Sequence, residues 1–397
     1  MTSLHGEGGE VVDVTIEAVR DRFHTLNVPM AFFDGPAGTQ CPDSVIEAVS
    51  GYLLTANANS GGKFLTSMVT DDVIGAARAA ASDLLGVMTD EVIFGPNMTT
   101  LNFALTRTAA RDWKQGDEIV VTKLDHDANI APWLHVAEDK GLTVKFAEID
   151  AECRLDLDHL RSLLSDRTRV VAFPWASNAV GTIVPVKDVV ELAHSVGALA
   201  WCDAVHYAPH GDIEIPDSDV DVLLCSAYKF YGPHLGLAWA RRDLLEGWRP
   251  YKVRPSSEAP GPRHETGTLQ HELLCGFIAT VEYLHGVGWK FINEHEQKLG
   301  QQFLDGLPDG WKLHGPPTME GRVPTFALTP PHETPENCAM RLGIAGFAVW
   351  DGNYYAVEVF KHLGLPGGAI RVGIDHTNME DEVDRLLQAM AAGPSAV

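Results

Sequence analysis

Between Glu91 and Ser226 short β-rich runs recur at Glu91–Phe94, Glu118–Thr122, Thr143–Ala147, Val170–Pro174, Leu199–Asp203 and Val220–Ser226, with helical patterns such as Thr99–Ala110 and Val186–Val196 between them. Strands this short, alternating with helices, restrict the chain to an α/β domain on a largely parallel sheet. Upstream, Asp13–Leu26 has the period of an amphipathic helix and Ala31–Asp34 that of a short strand. Thr70-Asp71-Asp72 reads as the start of a helix running to Gly86, its acids placed where the helix dipole favours them. Near residue 250 the texture changes: "RPYKVRPSSEAPGPRHETG" is an irregular connection rich in Pro, Gly and Ser. Two long helical patterns follow it, then a strand at Thr325–Leu328 and a last helix capped by Asn378. The expected division is an N-terminal segment (1–28) packing on a small domain, a large domain (29–262) and a small α+β domain (263–397).

A chain of 397 residues supports two or three such units. With 45% hydrophobic and 21% charged residues it has the make-up of an ordinary globular protein. A formal charge of −24 argues against nucleic acid and anionic membrane surfaces as partners, because both require positive patches. Cys41, Cys153, Cys202, Cys225, Cys275 and Cys338 form no CxxC pair and no disulfide-like spacing. The start "MTSLHGEGGEVVDV" is acidic and glycine-rich, unlike a signal peptide, and no apolar stretch reaches membrane-spanning length. A reduced, cytoplasmic protein is expected, in which the Asn97-Met98-Thr99 sequon carries no glycan.

In open α/β sheets ligands bind at the carboxyl ends of the strands. Five chemistry-bearing features lie there. "GPNMTT" follows the first run, where helix-start amides and Thr99 can seat a phosphate, although a plain N-cap is the commoner use of such a residue. "KLDHDAN" brings His126, "PWASN" brings Asn178, "ALAWC" ends in Asp203, and "SAYKFYGPHLG" brings Lys229. Each alone is more often structural. Together they match what pyridoxal phosphate requires: a lysine for the imine, a carboxylate for the pyridinium nitrogen, an imidazole to lie on the ring and an amide for its phenolic oxygen.

At "SNAVGTIVPVKDVVELAHSVGALAWCDAVHYAPH" and "SAYKFYGPHLG" the chain resembles the fold-type I, class V aminotransferase and cysteine desulfurase-like enzymes, from about Phe33 to Leu387. The resemblance implies a large domain with a mostly parallel seven-stranded sheet and a smaller α+β C-terminal domain. It makes Lys229 the Schiff-base lysine, Asp203 the pyridinium partner and His126 the stacking ring. Asn178 and His206 would address the phenolic oxygen, and Met98, Thr99, Ser226 and Tyr228 the phosphate. Thr268 in "HETGTLQHE" matches a threonine that reaches the neighbouring subunit's phosphate, implying a homodimer with shared sites. Arg371 in "AIRVGIDHTN" matches the clamp for a substrate α-carboxylate. The chain departs from desulfurases at "AVWDGNYYA": Trp350 stands for an arginine and Tyr355 for the cysteine that accepts sulfur, and tyrosine cannot act as a thiolate does. His206 and Tyr228 likewise replace a glutamine and a histidine.

The expected reaction is therefore β-elimination from a cysteine S-conjugate. Lys229 removes the Cα proton, a thiolate leaves, and aminoacrylate decays to pyruvate and ammonia. Trp350, Tyr354 and Tyr355 would line a pocket for the thioether substituent, or else merely pack the small domain. Decarboxylation with oxidative deamination, transamination and desulfurase-like chemistry are the alternatives on the same scaffold. A metal hydrolase built on His206 and His210 is disfavoured by Pro209 between them, and no metal is expected. A cofactor-binding regulator would need an extra interaction domain, for which the chain has no spare length.

Overall fold

A computed structural model describes residues 14–394. Its centre is a seven-stranded sheet, numbered in chain order β1 (Val92–Gly95), β2 (Glu118–Thr122), β3 (Thr143–Ala147), β4 (Thr168–Pro174), β5 (Leu199–Asp203), β6 (Val222–Ser226) and β7 (Gly236–Ala240). The spatial order is β1-β7-β6-β5-β4-β2-β3. Neighbours from β6 through β3 run parallel, whereas β7 is antiparallel to both β6 and β1. The central strands are buried on both faces. Successive side chains divide between two cores. Val120, Val171, Ala200, Cys202, Leu223 and Leu237 face one, while Val121, Val170, Trp201, Leu224 and Ala238 face the other. This two-residue alternation explains why these runs are apolar throughout.

Beyond the irregular stretch around residue 260 come the two long helices, His271–Val287 and Trp289–Asp305. The second sheet contains β8 (Lys312–His314), β9 (Thr325–Thr329), β10 (Trp350–Gly352) and β11 (Ala369–Gly373), ordered β10-β11-β9-β8 and antiparallel throughout. It has a third core of its own, around Phe303, Phe326, Leu328, Ile370 and Val372. Ala31–Phe32 pairs in parallel with Phe347–Ala348, and Arg20 bonds the Thr377 carbonyl and meets Glu382 at 3.1 Å.

Three local expectations are corrected. The Asp13–Leu26 pattern is not one helix: Asp13 lies outside the described residues, and the chain forms Ile16–Arg20, capped by Thr15, then a short 3-10 turn at His24–Leu26. The Asp43 carboxylate takes the His24 amide at 3.0 Å and turns the chain there. The helix expected from Thr70 begins at Leu65 and ends at Leu85. Asp71 is already inside it and accepts the Gly61 amide, so the acid holds the preceding loop instead of the helix start. The last helix, Glu380–Ala392, has Met379 at its N-cap, closed by the Glu382 carboxylate on the Met379 amide. Asn378 instead bridges the Phe32 carbonyl and the Asp375 amide. Among the described residues no helix is long and apolar enough to cross a membrane.

Candidate active site

The carboxyl ends of β1, β2, β4, β5 and β6 open on one cleft of about 530 Å3. At its floor β1 passes into the helix Met98–Ala109, capped by Asn97, whose side chain accepts the Thr100 amide at 2.8 Å. The Ser226 hydroxyl, from the end of β6, accepts the Met98 amide at 2.9 Å. This ties helix and strand together and leaves Met98 and Thr99 lining the cleft with the positive end of the helix dipole. Gly236 on β7 makes the approach possible: a Cβ there would lie 2.5 Å from the Asn97 backbone.

Lys229 sits one short turn beyond β6 and faces the cleft, its ammonium donating to the Pro36 carbonyl at 2.6 Å. Burial and the nearby Arg371 charge lower its pKa to about 7, so near neutrality a large fraction is the free amine. Asp203 at the end of β5 is held by the Val205 amide at 2.9 Å through Oδ1; burial raises its pKa to about 6. His126 uses Nδ1 to accept the Ala128 amide at 2.9 Å, which places any proton of the neutral ring on Nε2. Desolvation lowers its pKa to about 4, so the ring is neutral and suited to stacking.

Arg371 on β11 reaches the cleft from the small sheet, buried, with its pKa lowered to about 10 and hence still cationic at neutral pH. Nη1 donates to the Asn178 carbonyl at 2.9 Å. Nε is buried without a partner, as is Asn178 Oδ1. Both are buried polar atoms of cleft residues whose hydrogen-bonding capacity is unspent. Trp350 and Tyr355 line the mouth at 50% and 70% exposure, which rules out simple core packing for those two. Tyr354 is buried against Phe360, and its hydroxyl bonds the Ala369 carbonyl, so for this ring the packing alternative holds alongside its place on the cleft wall.

Met98, Thr99, His126, Asn178, Asp203, His206, Ser226, Tyr228, Lys229, Trp350, Tyr354, Tyr355 and Arg371 all line this one cleft. Thr268 does not; it is exposed in the connection before the first long helix. Asn178 Nδ2 is engaged by the Tyr354 carbonyl at 2.9 Å, and His206 Nε2 by the Thr325 hydroxyl at 3.0 Å. Each thus has a structural partner in addition to its place at the cleft. His210 pairs with Glu296 at 2.7 Å, so a glutamate does stand beside these histidines. No group of three or more metal-ligating side chains exists among the described residues. Sequence reasoning missed Pro36 and Ala37, which line the cleft, and Asp34, whose burial raises its pKa to about 6 near Lys229 and Arg371. The turn residues "DGPAG" after the first short strand were the available signal.

The buried Asp203 carboxyl, the unpartnered Asn178 Oδ1, the neutral His126 ring and the Met98–Thr99 helix start fit a phosphorylated pyridine aldehyde beside Lys229. Sheet, cleft and lysine define the fold-type I pyridoxal-phosphate enzymes. The chain belongs to the class-V aminotransferase family, whose model matches residues 31–386. It is 30% identical to a cysteine desulfurase of Synechococcus elongatus over 98% of this chain, and spans 65% of that protein's length. An aminotransferase-like protein of Gibberella zeae is also 30% identical, across 95% of this chain and 98% of that one. The apo structure of a cysteine desulfurase from Thermococcus onnurineus superposes with a TM-score of 0.91 at 26% identity, covering 96% of this chain and 98% of the other. The protein is thus a pyridoxal-phosphate-dependent, cysteine desulfurase-like member of class V.

Proposed function

We propose that the protein is a C–S β-lyase that splits a cysteine S-conjugate into a thiol, pyruvate and ammonium. One observation carries this reading: the cleft brings Lys229 and Arg371 together, and none of the six cysteines lines it. Cys153, Cys202, Cys225 and Cys338 are buried, and burial pushes the thiols up, to about 11 at Cys153 and about 12 at Cys338, where no thiolate is available to take sulfur. Sulfur must then leave with its substituent.

Pyridoxal phosphate, when bound, withdraws electrons from the substrate Cα. In this reading Met98, Thr99, Ser226 and Tyr228 hold its phosphate, Asp203 its ring nitrogen, His126 its face, and Asn178 and His206 its phenolic oxygen. Arg371 grips the α-carboxylate through its free edge. Lys229, a large fraction of it free amine near neutrality, takes the Cα proton, and the C–S electron pair departs on sulfur. With one water the atoms balance: R–S–CH2–CH(NH3+)–COO− and H2O give R–SH, pyruvate and NH4+. Trp350 and Tyr355 provide an aromatic mouth for a bulky R group. Thr268 is assigned to a phosphate across a homodimer.

The test is to incubate the holoenzyme with S-benzyl-L-cysteine and measure thiol, pyruvate, ammonium, carbon dioxide and sulfane sulfur. Equimolar thiol and pyruvate are expected. Carbon dioxide without pyruvate, an amino-group transfer to a keto acid, or sulfane sulfur from free cysteine would replace the lyase with the corresponding alternative.

A further inference from the structure

Arg371 on its strand and two turn residues, Asn178 and Tyr354, close a cycle around the guanidinium. Arg371 Nη1 donates to the Asn178 carbonyl at 2.9 Å. Asn178 Nδ2 donates to the Tyr354 carbonyl at 2.9 Å. The Tyr354 ring lies under the Arg371 guanidinium, 4.3 Å from centroid to Cζ. We infer that Tyr354 is a positioning residue that fixes the plane of the Arg371 guanidinium and thereby decides which bond to the substrate Cα is broken; this rests on the lyase reading.

The cycle leaves Arg371 little freedom. Nη1 is occupied, the ring covers one face of the guanidinium, and the buried Nε has no partner. With one Nη1 proton spent and one face covered, a carboxylate has few ways to be taken bidentately, all of them close to the guanidinium plane that the Tyr354 ring fixes. A carboxylate fixed in that plane leaves the Cα–H bond, rather than the Cα–COO− bond, to stand toward Lys229. The proton goes to Nζ and the C–S pair leaves with sulfur. With the guanidinium free to tilt, the carboxylate can turn upright. The Cα–COO− bond then breaks, carbon dioxide leaves, its electron pair stays on Cα and is protonated, and the amine R–S–CH2–CH2–NH3+ results without any oxidant.

Tyr354 is itself held at a cost. It and Tyr355 both have left-handed backbone, φ 52° and 58°, a conformation that aromatic residues avoid. The turn is pinned by four bonds: Asn178 on the Tyr354 carbonyl, the Asp127 amide on the Tyr355 carbonyl at 2.7 Å, the Asn353 side chain on the Tyr355 amide, and the Tyr354 hydroxyl on Ala369. Two of these partners, Asn178 and Asp127, lie at or beside residues that face the cofactor side of the cleft. A strained turn fastened to the cleft floor is a rigid wall, which suits a part that must hold another side chain in one plane.

The experiment compares wild type, Tyr354→Phe and Tyr354→Leu as holoenzymes, with Tyr354→Met, closer in length to the native side chain, as the replacement should the leucine protein not fold. The cofactor absorption is titrated with S-benzyl-L-cysteine and, separately, with S-benzylcysteamine, which lacks the carboxylate, and the carbon dioxide-to-thiol ratio is measured. Loss of the ring should weaken binding of the amino acid about tenfold, leave the amine within about twofold, and raise the carbon dioxide-to-thiol ratio. Phe, which keeps the ring, should recover most of the loss. Equal weakening of both ligands, no weakening of either, or a Phe variant as impaired as Leu would overturn the inference. If the wild type releases neither thiol nor carbon dioxide, the lyase reading fails, while the two binding titrations still decide whether Tyr354 sets the clamp.

Discussion

Lys229 carries its role through its surroundings. A lysine at a strand end ordinarily keeps its proton well above neutrality; here desolvation and the Arg371 charge bring the pKa down from 10.5 to about 7. The linkage has a definite sign. Between about 7 and 10.5 the unfolded chain binds this proton and the native chain does not, so the lysine makes cofactor-free protein gain stability as pH rises through that window. In urea unfolding of the cofactor-free protein at pH 7 and pH 9, Lys229→Met should be more stable than wild type at pH 7, with the gap narrowing at pH 9. A gap that does not change with pH would show that the lysine is not desolvated. Lys229, Asp203, His126 and Asn178 were legible in the sequence because each follows its own strand, and strand ends are where such sheets bind ligands. Asp34 and Pro36 were not, because what matters about them is contact with a lysine far along the chain. Tyr354 was read as a wall of the substrate pocket, but not as the ring under Arg371, because that guanidinium comes from a separate strand.

At the scale of elements, the floor of the cleft depends on how closely the helix beginning at Met98 approaches β7. Gly236 permits that approach, since any Cβ would meet the Asn97 backbone at 2.5 Å and backbone cannot swing aside as a side chain can. Gly236→Ala should cost about 1–3 kcal/mol through overpacking and displace the Met98–Thr99 amides. The expected outcome is a folded protein that retains less cofactor after dialysis than wild type; undiminished retention would mean that the helix start does not seat the phosphate. Six of the seven strands of the large sheet, all but β7, were readable to within a residue or two, because a strand covered on both faces is largely apolar. Helix starts were not. Asp71 and Asn378 have the side chains of capping residues, but both spend them on neighbouring loops, a choice settled by tertiary contacts that leave no local trace.

At the scale of the whole molecule, one corner combines exposed apolar side chains with Thr268. The end of the helix Asp43–Thr55 and the start of Leu65–Leu85 present Leu53, Leu54, Phe64, Leu65 and Met68, with Leu54 84% and Leu65 77% exposed. Tyr52 fastens these two helices through the Thr70 hydroxyl at 2.7 Å and lies edge-on to His271, three residues past Thr268. Apolar surface of this kind suits a docking face, as the proposed homodimer requires. Sedimentation should give a dimer at micromolar concentration, and Leu54→Glu with Leu65→Glu should dissociate it; a wild-type monomer would remove Thr268 from the site. The function assigned to the molecule rests in the end on a single cleft organised about Lys229. Borohydride reduction of the purified holoenzyme followed by peptide mapping tests this most directly. The account predicts a pyridoxyl label on the Lys229 peptide and on no other, whereas a label on another lysine, or none at all, would contradict it.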